Sequence, residues 1–323
     1  MMSDTEASAL PPLVVVAGPT ASGKSALALA AAQEFGGAVL NADSMQVYRE
    51  LRVLTARPSE AEEALAPHRL YGVLAGSVAC SPVLWRDMAV PEIEAAWAAG
   101  RLPIVCGGTG LYLKALLEGF APVPEVPEAV RAEARADLAR LGHAAFHARL
   151  AREDPETAAR LAPGDTTRNL RAWEVLRASG RSISWWQAQP PVPPPIRFRP
   201  LVVRMEPPRE VLYARCDARL RAMVMEGPAL AEVAALLDLG LPPDQPVMKA
   251  LGVPELAAHL RGELDLESAL VRAQQLTRNY AKRQGTWFRG QLRADAVCNT
   301  QFSESLVAKT FQLIRGFLLT GSG

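Results

Sequence analysis

The 323-residue chain has only four cysteines, Cys80, Cys106, Cys216 and Cys298, spread far apart and without a CxxC pair. That spacing excludes the dense disulfide framework on which small secreted domains depend, and reduced thiols in a cytoplasmic protein fit it best. An excess of charge is also missing. Lys and Arg number 35 against 34 Asp and Glu, a net charge of +1, so any nucleic-acid surface must come from local clustering of bases. Long apolar runs are absent too: Leu13 to Ala17 is too short for a signal core or a membrane span, so no membrane partner is expected. The opening MMSDTEASALPP carries acids and no basic n-region, and reads as a frayed polar arm. There is no internal repeat. What remains is 49% hydrophobic and 21% charged, the balance of ordinary soluble domains, with length for one large or two ordinary cores.

Periodicity gives an alternating start. Leu13 to Ala17 is a β-branched run closed by glycine, and Lys24 to Phe35 is an Ala/Leu-rich helix ended by Gly36-Gly37. A second strand, Ala38 to Ala42, ends at Asp43. A third, Leu102 to Cys106, follows a helix expected around Pro91 to Gly100. Alternation of this kind predicts a parallel sheet with helices on both faces. After Pro122 the stretch from Glu128 to Trp186 offers only helical periodicity and reads as an insertion. The run Pro190 to Pro195 is then an extended, semi-rigid connector. Leu201 to Val203 returns as a strand, and from Arg209 the chain is mostly helical to Leu319. The expected domains are 1–123 with 197–323, and 124–196.

Gly18-Pro19-Thr20-Ala21-Ser22-Gly23-Lys24-Ser25 matches GxxxxGK[ST] between a predicted strand and a predicted helix, the context a phosphate-binding loop requires. Its glycines let backbone N–H groups face phosphate oxygens, the helix N-terminus adds its dipole, Lys24 adds a point charge, and Ser25 can hold Mg²⁺. Nucleoside triphosphate hydrolysis pairs such a loop with an aspartate at a neighbouring strand end. Here the strand ending at Cys106 runs into Gly107-Gly108-Thr109-Gly110 instead, and the carboxylate, Asp43, stands at the end of another strand. Strand ends on the carboxyl edge of such a sheet converge on one crevice, so Lys24, Asp43 and Thr109 are expected to share it. A helix N-cap is the plainer role for Asp43.

GPTASGKS, NADSMQVYRELRVLTARP and PIVCGGTGLYLKALLEG, in that order and spacing, resemble the opening motifs of the tRNA dimethylallyltransferase (isopentenyltransferase) family. The resemblance continues through DPETAARLAPGDTTRNLRAWEVLRASG, PREVLYARCDARLRAMVMEG, VMKALGVPEL and TRNYAKRQGTWFRGQ, covering roughly residues 13–292. It implies a P-loop NTPase-like α/β core with a mostly helical inserted domain, and transfer of a dimethylallyl group from dimethylallyl diphosphate to the exocyclic amino group of adenine 37 of tRNA. It further implies Asp43 as the base, Thr109 near the bridging oxygen, and Arg219 as a second diphosphate clamp beside Gly18, Thr20, Ala21, Ser22, Gly23, Lys24 and Ser25. Contact with the tRNA anticodon stem-loop is implied for Asp43, Ser44, Met45, Gln46, Arg168, Arg171, Lys249, Gly252, Lys282, Arg283, Gln284, Trp287 and Arg289. Mg²⁺ as cofactor and a monomer are the family's expectation. The chain departs from the family's GTAKP at Arg57, from its GY at Val253, and from its NDxxR in Gly164-Asp165-Thr166-Thr167-Arg168.

The chemistry suits these residues. An adenine amino nitrogen is a poor nucleophile whose lone pair is delocalised, so a base that takes its proton helps, and charge on the departing diphosphate needs preorganised cations. A target base must also be extruded from its stack. From Val271 to Arg293 six basic residues stand without an acid, interleaved with Tyr280, Trp287 and Phe288, a pattern suited to phosphate contact and base stacking. An ordinary helix with a solvated basic face has the same pattern. His143 and His147, four apart, lack a further ligand for zinc and read as surface or packing residues. Trp173, Trp185 and Trp186 read as packing. Ser303 to Leu319 reads as a helix docked on the body. Two other readings compete: an adenylate isopentenyltransferase or small-molecule P-loop kinase, and a non-catalytic RNA-binding protein with a structural P-loop.

Overall fold

The computed structural model describes residues 10–300 and 302–320; residues 1–9 of the expected polar arm lie outside them. Six strands form one parallel sheet: β1 (Pro12–Ala17), β2 (Ala38–Asn41), β3 (His68–Arg69), β4 (Pro103–Gly107), β5 (Arg199–Met205) and β6 (Ala296–Cys298), in the order β3-β2-β4-β1-β5-β6. β1 is central, paired with β4 through Ala17↔Gly107 and with β5 through Ala17↔Arg204. Its side chains alternate between two cores, as a strand buried on both faces must. Leu13, Val15 and Ala17 face one core, and Val14 and Val16 the other.

The helices of this unit follow from the same pattern. α1 (Lys24–Phe35) covers the second core and stops at Gly36, whose φ of 61° is the left-handed conformation that ends a helix. Between β2 and β4 come the short α2 (Glu60–Leu65), held by a Ser59/Glu62 capping box, and α3 (Pro82–Ala98). α3 starts well before the helix expected around Pro91 to Gly100: it begins at Pro82 and carries Pro91 in its interior. Pro91 is exposed, while Trp85, Ala89, Val90, Ile93 and Ala96 keep a continuous buried seam, so packing outweighs the hydrogen bond that proline removes. α4 (Gly110–Leu117) follows β4.

The compact units divide between Leu117 and Glu118 and between Pro194 and Pro195. The second unit, 118–194, holds α5 (Glu128–Glu153), kinked at Gly142 with φ 74°, then α6 (Pro155–Ala158), α7 (Thr166–Ser179) and α8 (Ile183–Gln187). Its own core gathers Ala134, Phe146, Leu150, Ala158, Ala172 and Trp173. Trp173 is packed as expected, under the guanidinium of Arg149. Trp185 is not: it is 42% exposed, with Arg181 stacked on it. His147 bonds Asn169 and His143 bonds Thr166. The proline run is pinned at Val192, whose N–H donates to Phe120 O at 2.8 Å.

After β5 the first unit continues with α9 (Arg209–Met225), α10 (Ala229–Asp238), a 3₁₀ turn (Pro246–Lys249), α11 (Val253–Leu260), α12 (Leu266–Gln291) and α13 (Glu304–Leu319). α13 docks through Leu306 and Ile314 onto the core under α1. Val253, where the family has an aromatic, is buried in the opposite core.

One buried contact ties this packing to a loop at the carboxyl edge. Trp85 is fully buried, stacked on Tyr112 at 4.9 Å, and its Nε1–H donates to Asn41 O at 2.8 Å. Trp85→Phe keeps an aromatic ring on Tyr112 but removes the N–H that donates to that carbonyl. It should destabilise the protein by about 1–3 kcal/mol, the desolvation cost of one orphaned buried acceptor, read from the midpoint of urea denaturation at unchanged slope.

Candidate active site

The loop after β2 is organised by Asn41, a buried polar residue at the strand end. Its Oδ1 accepts the Asp43 N–H at 2.8 Å, and its Nδ2 donates to the carbonyls of Asp43 and Leu70. The chain is thereby turned so that Asp43 is followed by a turn, not a helix. Asp43 Oδ1 accepts from the Met45 N–H at 3.0 Å, a local Asx turn, and the helix-cap role expected as the plainer one is absent. Gly107 and Gly108 end β4 because nothing larger fits. A Cβ on Gly107 would lie 2.1 Å from Ala42 O, and one on Gly108 would lie 2.3 Å from Gln284 Nε2 and 3.5 Å from Asp43 Oδ2. Two hydrogen bonds then join the strand ends: the Thr109 N–H donates to Ala42 O at 3.1 Å, and the Ser44 N–H to Thr109 Oγ1 at 2.9 Å. The Tyr280 hydroxyl also bonds Thr109, and burial, with the charge of Asp43 adding to it, pushes that phenol well above its ordinary range.

The P-loop connects β1 to α1. Ala21 and Gly23 take left-handed φ of 61° and 93°; the strain at Ala21 is what a non-glycine residue bears where the backbone must curl around a ligand. The opening N–H groups of α1 have no intrahelical acceptor and face out of the helix end. Thr20 is differently engaged. Its N–H donates to Gln284 Oε1 at 2.9 Å, and its hydroxyl accepts from Arg219 Nη2. Ser22 is fully buried, its Oγ without a partner among the described residues. Ser25 is exposed and hydrogen-bonded to the Cys106 thiol, which burial pushes up to about 11.

Two cations are partly withdrawn from water here. Lys24 rests on Pro19 O at 3.3 Å, and burial lowers its pKa while Asp43 opposes the shift. Arg219, on α9, is lowered by burial as well, with Asp43 again opposing. Neither closes an ion pair with a carboxylate among the described residues. A partly buried cation without a carboxylate partner favours a ligand that supplies the counter-charge, which makes the pair a candidate anion site. A cavity of about 290 Å³ opens beside them, lined by Thr20, Asp43, Ser44, Met45, Arg219, Tyr280, Lys249 and Arg283 among others.

The remaining sequence-predicted residues scatter. Gln46 Nε2 donates to the carbonyls of Thr55 and Ala56. Gly252, at φ 90°, opens α11 against Leu54. On α12, Lys282 and Arg289 line a second cavity of about 310 Å³ with Pro19, Arg209 and Tyr213, and Arg289 pairs with Glu206 at 2.6 Å. Trp287 is half-buried against Gly110. Gln284 is buried, with both ends of its amide used inside the chain: Oε1 on Thr20, and Nε2 donating to Gly108 O at 2.8 Å. Arg57 lies over Gly72 and donates weakly to Tyr48 O and Arg49 O. Arg168 and Arg171 belong to the second unit, where Arg168 is exposed beside Asp165 and burial lowers the Arg171 pKa. Sequence reasoning missed Asn41 as the organiser, Tyr280 as a neighbour of Thr109, and Gln284 as a clasp. A buried asparagine at a strand end is the only one of these with a readable signal.

Comparison with known proteins agrees with this arrangement. A family model described as IPP transferase matches residues 46–291, and one described as isopentenyl transferase matches 11–76. A tRNA dimethylallyltransferase of Paramagnetospirillum magneticum is 57% identical, over 96% of this chain and 98% of its own length. One from Rhodospirillum centenum is 62% identical over 88% and 90%. The solved tRNA isopentenylpyrophosphate transferase of Bacillus halodurans superposes with a TM-score of 0.69 at 31% identity, over 96% and 98% of the two chains. A eukaryotic dimethylallyltransferase acting on tRNA superposes at 0.73 and 26% identity, over 95% and 80%. A P-loop whose strand-end carboxylate stands on β2, matched over nearly the whole chain by such relatives, places this protein in the tRNA dimethylallyltransferase family.

Proposed function

We propose that this protein transfers the dimethylallyl group of dimethylallyl diphosphate to the exocyclic amino nitrogen of the adenine adjacent to the tRNA anticodon, releasing diphosphate. The observation that carries the reading is the cavity lined by Asp43 and Arg219, with Lys24 near enough for Asp43 to act on its charge and neither cation paired with a carboxylate among the described residues. The anion site supports a diphosphate, and a carboxylate beside it supports deprotonation of an acceptor.

The opening N–H groups of α1, Lys24 and Arg219 hold the diphosphate. Thr20 orients Arg219 through its hydroxyl. The adenine nitrogen forms a bond to the allylic carbon as the carbon–oxygen bond breaks, and that electron pair leaves on the diphosphate. Asp43 takes the amino proton. Its Oδ1 is fixed by the Met45 N–H, which sets the carboxylate's direction before substrate arrives. Thr109 Oγ1 accepts from the Ser44 N–H and shares a hydrogen bond with the Tyr280 hydroxyl, which holds it beside Asp43 as the hydroxyl proposed to meet the bridging oxygen of the leaving group. For Mg²⁺ the chain offers a modest but suitable oxygen donor: the exposed Ser25 hydroxyl would hold the ion together with oxygens of the diphosphate. The ion, when bound, adds positive charge against the leaving diphosphate. Lys249, Lys282 and Arg283 supply phosphate contacts for the RNA, with Arg168 and Arg171 of the second unit as further ones.

Three outcomes are expected. With labelled dimethylallyl diphosphate and Mg²⁺, label should enter unmodified tRNA and not AMP; label in AMP alone would make the protein an adenylate isopentenyltransferase instead. Asp43→Asn should lower the single-turnover rate by ~10²–10⁴-fold while the Kd for tRNA changes little, and a rate restored by raised Mg²⁺ would mark Asp43 as a metal ligand. The double variant Lys282→Ala, Arg283→Ala should flatten the log–log salt dependence of tRNA binding by roughly 0.7 for each phosphate that is no longer neutralised, measured by fluorescence anisotropy. An unchanged slope removes these two residues from the interface.

A further inference from the structure

Glu232, on α10, makes three charge-assisted hydrogen bonds to consecutive backbone N–H groups. Its Oε1 accepts from Arg52 at 3.0 Å and from Val53 at 2.7 Å, and its Oε2 accepts from Leu54 at 2.9 Å. The segment it holds, residues 52–57, is a single helical turn closed by a Schellman pattern: the Arg57 N–H reaches Arg52 O, and the Ala56 N–H reaches Val53 O. Ala56 takes the left-handed conformation at φ 56° that this closure needs.

One turn has the same unpaired ends as a long helix. Glu232 satisfies the donors at its start. At its finish, the carbonyls of Thr55 and Ala56 both accept from Gln46 Nε2, each at 2.8 Å. A carboxamide nitrogen has two protons, so both are consumed, and only Oε1 of Gln46 remains for a ligand. Reversing the amide would set its oxygen against two carbonyl oxygens, so the turn also fixes the polarity of Gln46. Leu54 and Thr55 of this turn line the cavity that holds Asp43.

We infer that Glu232 is a positioning residue for the acceptor side of the site. By holding the 52–57 turn it fixes Gln46 as a hydrogen-bond acceptor, and the site accordingly takes a nucleobase edge with an N–H donor beside the reacting adenine. The inference rests on the RNA-modifying reading above. The carboxylate is essential to it because three N–H groups converge. Glutamine at 232 can serve Arg52 and Val53 with its oxygen but must turn an NH₂ toward the N–H of Leu54.

The test is the steady-state kinetics of wild type, Glu232→Gln, Glu232→Ala, Gln46→Ala and the double variant Glu232→Gln, Gln46→Ala, on an anticodon stem-loop RNA and dimethylallyl diphosphate. In Glu232→Gln, kcat/KM for RNA should fall roughly ten- to hundredfold, the range of one lost hydrogen bond to a charged group, with KM for dimethylallyl diphosphate unchanged. In the Gln46→Ala background the same substitution should cost no more than about twofold, since it acts through the side chain already removed. Full additivity in the double variant, or equal losses on both substrates, would overturn the inference. Should Glu232→Ala not fold, Glu232→Gln carries the comparison alone. A wild type that leaves RNA unlabelled brings down the functional reading and this inference together, whereas an active wild type with an unaffected Glu232→Gln removes only the inference.

Discussion

The close approach of two parallel strand ends governs this site. β2 and β4 are in register up to Asn41↔Cys106, and beyond that pair the chains remain so near that Gly107 has no room for a Cβ beside Ala42 O. The two loops cannot diverge at once. They are joined by the Thr109 N–H on Ala42 O and the Ser44 N–H on Thr109 Oγ1, which sets the strand-end carboxylate and the strand-end hydroxyl side by side. A carboxylate on β4, where nucleotide-hydrolysing P-loop proteins keep theirs, would need a side chain at the spot this close approach fills. The displacement of the acid to β2 and the glycines after β4 are one structural fact.

Electrostatics follows from that placement. Asp43 is near enough to oppose the burial shifts of Lys24 and Arg219, yet it stands apart as a separate chemical group and leaves them available to an anion. A direct ion pair would have neutralised the cations and used up the base. Intermediate separation keeps both functions alive in one cavity, a compromise between the stability of a compensated charge and the reactivity of an uncompensated one.

Much of this was legible in the sequence because its signals are local. The P-loop is contiguous, and β1, α1 and β2 are each announced by a period and a glycine stop, so Lys24 and Asp43 could be assigned to one crevice from strand order alone. The edge strands β3 and β6 were not legible: two and three residues long, they have no period to read. α3 was clipped because Pro91 looks like a boundary, whereas its exposed ring costs only one backbone bond and the buried seam runs on beneath it. Gln284 and Trp287 illustrate a different limit. A run of basic and aromatic residues on one helix reads as a surface, but a helix has a back, and the spacing from Ala281 through Gln284 to Phe288 turns those three side chains inward. Which polar residue of a helix faces its own protein depends on where partners from distant segments arrive, here Thr20 and Gly108.

The Gln284 clasp has a thermodynamic consequence. Its amide bonds the backbone of Thr20 in the loop proposed to hold diphosphate and the carbonyl of Gly108 beside Asp43, while its neighbours on α12, Lys282 and Arg283, face outward where RNA is proposed to lie. That helix is thereby tied to the P-loop through a buried side chain rather than through solvent. Binding free energies are state functions, so whatever factor one substrate imposes on the affinity of the other must be returned in equal measure. The order in which the two substrates load leaves the energy of the ternary complex unchanged, and the Gln284 amide is a buried contact that links the two loops concerned.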